Sequence, residues 1–252
     1  MDDVKAIELI KELHKFLLVE ISHIYNSYLK KHLNNKLKLD PSWERDKKSL
    51  VIFTHAALEN YIEMLSQIVI ENAQHKYLNN KEINESLLCF IWTRSNSKPI
   101  FDENEWGDTN REALIKNIKE LVTTFNNEIN KNNHGIKIKN LNTLLRSVGL
   151  DFTKNTILST SWIELTEWRG EFAHRFLERG LQARRIRNEK GPEEVEKTVL
   201  NCYRLAYRLF ISSLSRVSGE KSKIELQKEL TTLIKHHPCF SEVQKTKSIF
   251  TI

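Results

Sequence analysis

Apolar residues recur every three or four positions along most of this chain. From Asp2 to about Leu39 the row Ile7, Ile10, Leu13, Leu17, Ile21, Ile24 and Tyr28 predicts a long amphipathic helix. Asp40-Pro41 reads as an N-cap followed by proline at the first helical position. It opens a second long helix to about His75, buried through Leu50, Val51, Ile52, Phe53, Leu58, Tyr61, Ile62, Leu65, Ile68 and Val69. A shorter helix is predicted from Lys81 to Thr93. The polar stretch 94–108, with Pro99, Trp106 and Gly107, then reads as a loop insertion. Helical spacing resumes from Thr109 to about Asn130 and is broken at Asn132-Asn133-His134-Gly135, with Gly135 as a C-terminal cap.

A short helix over Asn140 to Val148 stops at Gly149, and Leu150 to Asn155 leads into the next helix. Ser159, Thr160 and Ser161 are its candidate caps, and Ile163, Leu165 and Trp168 begin its apolar face. Gly180 interrupts or bends it. Gly191-Pro192 starts a helix to about Val217 with Val195, Val199, Cys202, Leu205 and Leu209 on one side and Arg204 and Arg208 sharing another. A last helix, Lys221 to Lys235, precedes a tail over 236–252 that carries His236 and His237.

With only seven Gly and four Pro in 252 residues, this pattern predicts an all-α protein. The simplest organisation is one helical domain over 1–252 with the insertion at 94–108, and no internal repeat is visible. Cys89, Cys202 and Cys239 are isolated, so neither a disulfide framework nor a zinc site is indicated. The acidic start, MDDVKAIELI, differs from a secretory signal, and no apolar run approaches the roughly 18 residues of a membrane span. A cytoplasmic location without membrane association is expected.

The net charge of +6 is compatible with a polyanionic partner, but its distribution says more. Nine of the thirteen arginines lie between Arg169 and Arg216. Arginine's planar donors suit phosphate. Ser161 to Arg185 concentrates them around one histidine, with Arg169 and His174 five residues apart. Thirteen arginines and nine histidines give about 0.5 such pairs by chance at one fixed spacing, so context has to carry the motif.

The chemistry these residue types allow is specific. RNA brings its own nucleophile, the 2′-hydroxyl. Cleavage then needs a base, an acid and a cation for the phosphorane charge, and no cofactor or metal. An imidazole can serve in either proton transfer. Like-charge repulsion from Arg169 and Arg175 is expected to bias His174 toward the neutral base. On a straight helix the two motif residues stand about 140° apart and about 7.5 Å along the axis, which argues against a dyad on one face. Either the arginine wraps toward the imidazole, or the helix deforms near Gly170, or a second subunit completes the pair. Upstream, His55 and Glu59 are four apart and have metal-ligand types. With no third ligand in sight they read more simply as a partly buried pair.

The Arg169-to-His174 motif, the lead-in NLNTLLRSVGLD and the upstream IFTHAALENYIEML together resemble the HEPN superfamily, most closely its RiboL-PSP-type branch, over roughly Leu50 to Leu209. The resemblance implies a HEPN-like bundle of long antiparallel helices. It also implies a metal-independent endoribonuclease, dimeric, with two motifs facing one cleft, acting as a toxin or in defence against phage and regulated by an antitoxin or similar protein. Arg169 and His174 are then catalytic, with Glu171, Arg175 and Glu59 supporting them and Arg179, Arg184, Arg185 and Arg187 tracking the RNA backbone. One position departs from the family: Gly170 stands where a polar residue, most often Asn, usually follows the arginine.

Two alternatives belong to other classes. In one, the basic helical surface holds nucleic acid or a partner protein without catalysis. In the other, it is a scaffold or antitoxin whose basic face neutralises an acidic protein. Under either, Arg169 and His174 form a structural pair, and Glu167, Glu171 and Glu178 are salt-bridge partners on a solvated face.

Overall fold

Two long helices lie antiparallel and frame the core. Asp2 caps the first, α1 (Asp3–Tyr28), by accepting from the Lys5 N–H at 2.9 Å. Its row Ile10, Leu13, Leu17, Ile21 and Ile24 is buried, as the spacing predicts. A single turn, α2 (Lys30–Leu33), precedes α3 (Trp43–Asn80). The start of α1 meets the end of α3, where the Asn72 side chain donates to Asp3 at 2.8 Å and Lys76 pairs with Asp3 at 3.1 Å. The opposite ends meet through Tyr28 and Phe53, whose rings stack at 5.7 Å. The computed structural model describes residues 1–33, 42–95, 108–131, 137–175 and 190–218, without the side chains of 108–110 and 173–175.

Along α3 the predicted buried face needs one correction. Leu50 and Val51 are buried, but Ile52 and Phe53 are 42% and 48% exposed. Four consecutive helical residues sweep about 300° around the axis, so a run of four apolar residues cannot all face one core. The helix also runs past His75, to a left-handed Lys81. The next helix, α4 (Glu85–Arg94), starts four residues later than predicted because the Asn84 side chain caps it, accepting from the Leu87 N–H at 2.9 Å.

The fifth helix, α5 (Asp108–Lys131), lays Ile118, Val122, Phe125 and Ile129 on the core. It is followed by α6 (Ile138–Leu144) and a 3₁₀ turn over Arg146–Val148. Gly149 ends that turn with φ +78°, a left-handed conformation that glycine adopts without strain, and its carbonyl accepts from Arg216 at 3.1 Å. Among the described residues the remaining elements are α7 (Thr156–Arg175) and α8 (Pro192–Ser218), and no strand occurs. The Asp40-Pro41 cap, residues 96–107 of the insertion, Gly135, Gly180, the last predicted helix and the tail lie outside the described residues.

Helix α8 runs antiparallel to α1 and closes the core through an aromatic box. His14 of α1 is buried against Phe210 at 4.3 Å with the rings nearly parallel, and Tyr61, Tyr203 and Tyr207 surround it within 6 Å. The Tyr203 hydroxyl shares a hydrogen bond with His14 Nε2 at 3.2 Å. Burial holds this imidazole at a pKa of about 3, so it is neutral at physiological pH.

Helix α7 is fastened to α8, antiparallel, by buried polar contacts. The Trp162 indole donates to the Cys202 carbonyl at 2.8 Å, Asn201 donates to Ser161 Oγ at 3.0 Å, and Thr198 donates to Glu164 at 2.9 Å. Trp162 is fully buried. Its replacement by Ala should cost about 3–5 kcal/mol, because the cavity and the lost hydrogen bond to the Cys202 carbonyl add to the lost burial. Denaturant unfolding of Trp162→Ala reads this directly, and a loss under about 1 kcal/mol would show that Trp162 does not anchor α7.

Candidate active site

The helix that carries the arginine-to-histidine motif begins earlier than predicted. Its cap is Asn155, whose side chain accepts from the Leu158 N–H at 3.1 Å. Ser159 and Ser161 sit inside the helix instead. Their hydroxyls donate back to the carbonyls of Asn155 and Ile157, both at 3.1 Å, which satisfies them without capping. The buried row on α7 is Leu158, Trp162, Leu165 and Phe172, while Ile163 and Trp168 flank it half-buried.

Arg169 falls on that row, between Leu165 and Phe172. Unlike its neighbours it is exposed, so the core-facing side of α7 changes there from apolar to cationic. The other motif residue, His174, lies in the last turn of the same helix, and its register position is about 140° around from Arg169. The helix shows no break at Gly170, so deformation does not bring the two onto one face. Gly170 itself is helical, and a Cβ added there would meet nothing within 4 Å. Glycine is therefore not demanded by packing at this position.

Opposite Arg169 stands the polar part of α3. His55 and Glu59, one turn apart, are 3% and 8% exposed, with His55 Nδ1 3.6 Å from Glu59 Oε2. Burial, and after it the charge of Arg169, holds the His55 imidazole at a pKa of about 4. The charge of Arg169 thus reaches the α3 pair, in which Glu59, predicted as a supporting residue, lies one turn from His55. The i, i+4 spacing flagged the pair, but nothing in the sequence said which helix would cover it.

Glu171 is exposed on α7, and Arg175 is that helix's last residue. The side chains of His174 and Arg175, and all of Arg179, Arg184, Arg185 and Arg187, lie outside the described residues. Among the described residues no group of three or more His, Cys, Asp or Glu is arranged to hold a metal, so His55 and Glu59 find no third ligand there. No helix of the described residues is long and apolar enough to cross a membrane.

Two cavities lie elsewhere. One of about 490 Å³ is lined by Thr93, Arg94, Glu128 and Asn142, but its Arg94 is already paired with Glu128 at 2.6 Å and lies over the Phe125 ring. The other, about 390 Å³ along the first half of α7, contains Lys190 paired with Glu164 and Glu194 at 3.2 and 3.0 Å. In both cavities the charges that the described residues bring are matched by a partner.

Comparison with curated proteins and with solved structures finds no match. A family model does match, the one described as RiboL-PSP-HEPN, over residues 13–212, from within α1 nearly to the end of α8. The matched stretch takes in α2 to α7 and most of α8, with the α3 pair and the whole α7 motif, and the all-α architecture is the one this family requires. The chain belongs to the RiboL-PSP-HEPN family.

Proposed function

We propose that this protein is a metal-independent endoribonuclease that cleaves RNA by 2′-hydroxyl attack, with Arg169 and His174 as its catalytic residues. The observation that carries the reading is the placement of Arg169. An exposed arginine occupies a core-facing position of the motif helix, close enough to the buried His55 of α3 for its charge to lower that imidazole's pKa, and five residues before a histidine. In this reading the Arg169 guanidinium stabilises charge on the phosphorane, and His174 transfers a proton. Arg175 and the arginines at 179, 184, 185 and 187 extend the cationic path along the RNA backbone from the end of α7.

Because the two motif positions stand about 140° apart on a continuous helix, the working site is composite. Two subunits bring two copies of His174 into one cleft, one as base and the other as acid. A homodimer is thus part of the proposal, as is a role as a toxin or phage-defence effector held in check by a regulatory protein. The test is incubation of the protein with mixed RNA in EDTA. Cleavage leaving cyclic phosphate ends is expected, and it should disappear in His174→Ala and Arg169→Ala at unchanged melting temperature. Cleavage surviving both substitutions would overturn the assignment.

A second reading, a helical module that binds nucleic acid without turnover, is favoured by Gly170 alone. The open space around this glycine separates the two. Gly170→Ala should stabilise the protein by about 0.5–1 kcal/mol, since a helix-interior glycine is replaced without contact. Gly170→Asn restores the polar group that usually follows the arginine and is expected to raise the cleavage rate several-fold, to about 10-fold. If Gly170→Asn binds RNA in a salt-sensitive way and still releases no product, the binding reading stands.

A further inference from the structure

The outward side of α3 is as patterned as its buried one. Ile52, Phe53, Ala56, Asn60 and Met64 are all exposed and follow one another at helical spacing, a mainly apolar stripe in place of the usual charged face. The antiparallel α1 adds Phe16, 55% exposed, which falls level with Met64 because Asp3 meets Asn72 and Tyr28 meets Phe53. The ends of the stripe carry opposite charge. Arg45, before it, pairs loosely with Asp46 at 3.7 Å and keeps 80% of its side chain exposed. Glu71, after it, is half-buried and accepts from Asn126 at 3.0 Å. Ile52 and Met64, Ala56 and Asn60, and Arg45 and Glu71 lie close to symmetrically about Leu58. An antiparallel copy of α3 therefore lays Ile52 over Met64 of the second copy, Ala56 over Asn60, and Arg45 toward Glu71. A parallel copy would stack Arg45 on Arg45.

We propose that this face of α3 binds a second copy of the chain, antiparallel, about a two-fold axis that crosses the helix near Leu58. The homodimer itself is taken from the reading above, and what is added is where the copies meet. When two helices pack face to face and antiparallel, the two-fold axis lies in the interface and runs across both. Whatever flanks α3 on one side then flanks its copy on the same side. His55 and Glu59 lie on such a flank, about 110° around α3 from the middle of the stripe and beside the axis. Helix α7 packs on α3, and the charge of Arg169 is felt at His55. Both copies of Arg169 thus border one cleft at the axis, whereas a parallel pair would send them to opposite sides. Residues 45–71 span about 39 Å, and α1 with α3 is about 20 Å across, on the order of the ~800 Å² per partner that a stable dimer needs.

The experiment measures molar mass by light scattering over a concentration series at low salt. It compares full-chain wild type, Arg45→Glu, Glu71→Arg, an equimolar mixture of those two variants, and Ala56→Arg. Wild type is expected to be a dimer. Each charge reversal sets like charges together at both ends of the interface and should weaken the dimer about 10- to 100-fold. In the mixture a chain of each kind restores opposite charges at both ends. A heterodimer should therefore form where neither variant dimerises alone, a recovery that a folding defect cannot produce. Ala56→Arg, with a long charged side chain at the crossing, should be monomeric while keeping its helical circular dichroism. A monomeric wild type overturns the proposal and leaves the face to a partner of another kind. Reversals that leave the dimer intact overturn it too, as does a mixture no more associated than its components or an Ala56→Arg that still dimerises. If Ala56→Arg does not fold, the mixture decides. RNA cleavage in EDTA is read on the same samples: a dimer that responds as expected but cleaves no RNA sinks the ribonuclease reading and leaves the interface standing.

Discussion

Mixing wild-type subunits with an equal amount of His174→Ala subunits should leave about a quarter of the wild-type cleavage per dimer, not half. Random exchange makes wild-type, mixed and fully substituted dimers in a ratio of about 1:2:1. If each cleft needs one histidine as base and one as acid, only the first class is active. If each subunit carries a self-sufficient site, the mixed dimers contribute at half strength and the total is about half. The fully substituted protein should itself lose about 10²- to 10⁴-fold, the range that a positioned proton-transfer group supplies. The basis for expecting a quarter is geometric. The motif helix is continuous through Gly170, so Arg169 looks into the α3–α7 seam while His174 belongs to another side of α7. Cleavage assayed after subunit exchange, with the dimer fraction measured on the same samples, reads the outcome. A half-strength mixture would place the whole site within one subunit and remove the composite cleft.

That geometry was half legible in the chain itself. The 140° separation follows from residue numbers and the helical repeat alone, because it needs only that 169–174 be helical. Which side of α7 is inward does not follow, because Ile163 and Trp168 offered an apolar face as plausible as Leu158, Trp162, Leu165 and Phe172. Tertiary contact chose the second row, when Trp162 found the Cys202 carbonyl on α8 and Asn201 found Ser161. Likewise the family motif marked Arg169, and the i, i+4 rule marked His55 with Glu59. Their meeting depends on α3 and α7 being neighbours in space across more than a hundred residues of chain. Helix ends misread from sequence, such as the Asn84 and Asn155 caps, erred where several polar side chains competed for the same N–H groups. Rows such as Ile10 to Ile24 on α1 admitted one solution and were read correctly.

Between pH 6.5 and 4 the protein is expected to lose several kcal/mol of stability, with His14 as one main cause. Its folded pKa of about 3 lies below the ordinary value of 6.5, so in this window the unfolded chain binds a proton that the folded chain refuses. The unfolded state is therefore favoured as pH falls. The loss begins near 6.5, steepens to about 1.4 kcal/mol per pH unit for each such histidine, and ends only near the folded value. His55, with a folded pKa of about 4, adds a second proton to the same slope over most of the window. Two histidines at about 2 kcal/mol each by pH 5 is a large share of a domain's usual 5–15 kcal/mol. His14→Phe isolates the first contribution, since a phenyl ring can stack on Phe210 as the imidazole does and cannot be protonated. At pH 8 the variant should be less stable by about 1 kcal/mol, because the hydrogen bond with the Tyr203 hydroxyl is lost. At pH 5 it should be more stable than wild type by about 1 kcal/mol, the proton penalty having outgrown the lost bond. The two stability curves must then cross near pH 6, as measured by urea unfolding at matched ionic strength. Parallel curves would mean that His14 takes up a proton within the folded protein, and that the aromatic box tolerates a charge.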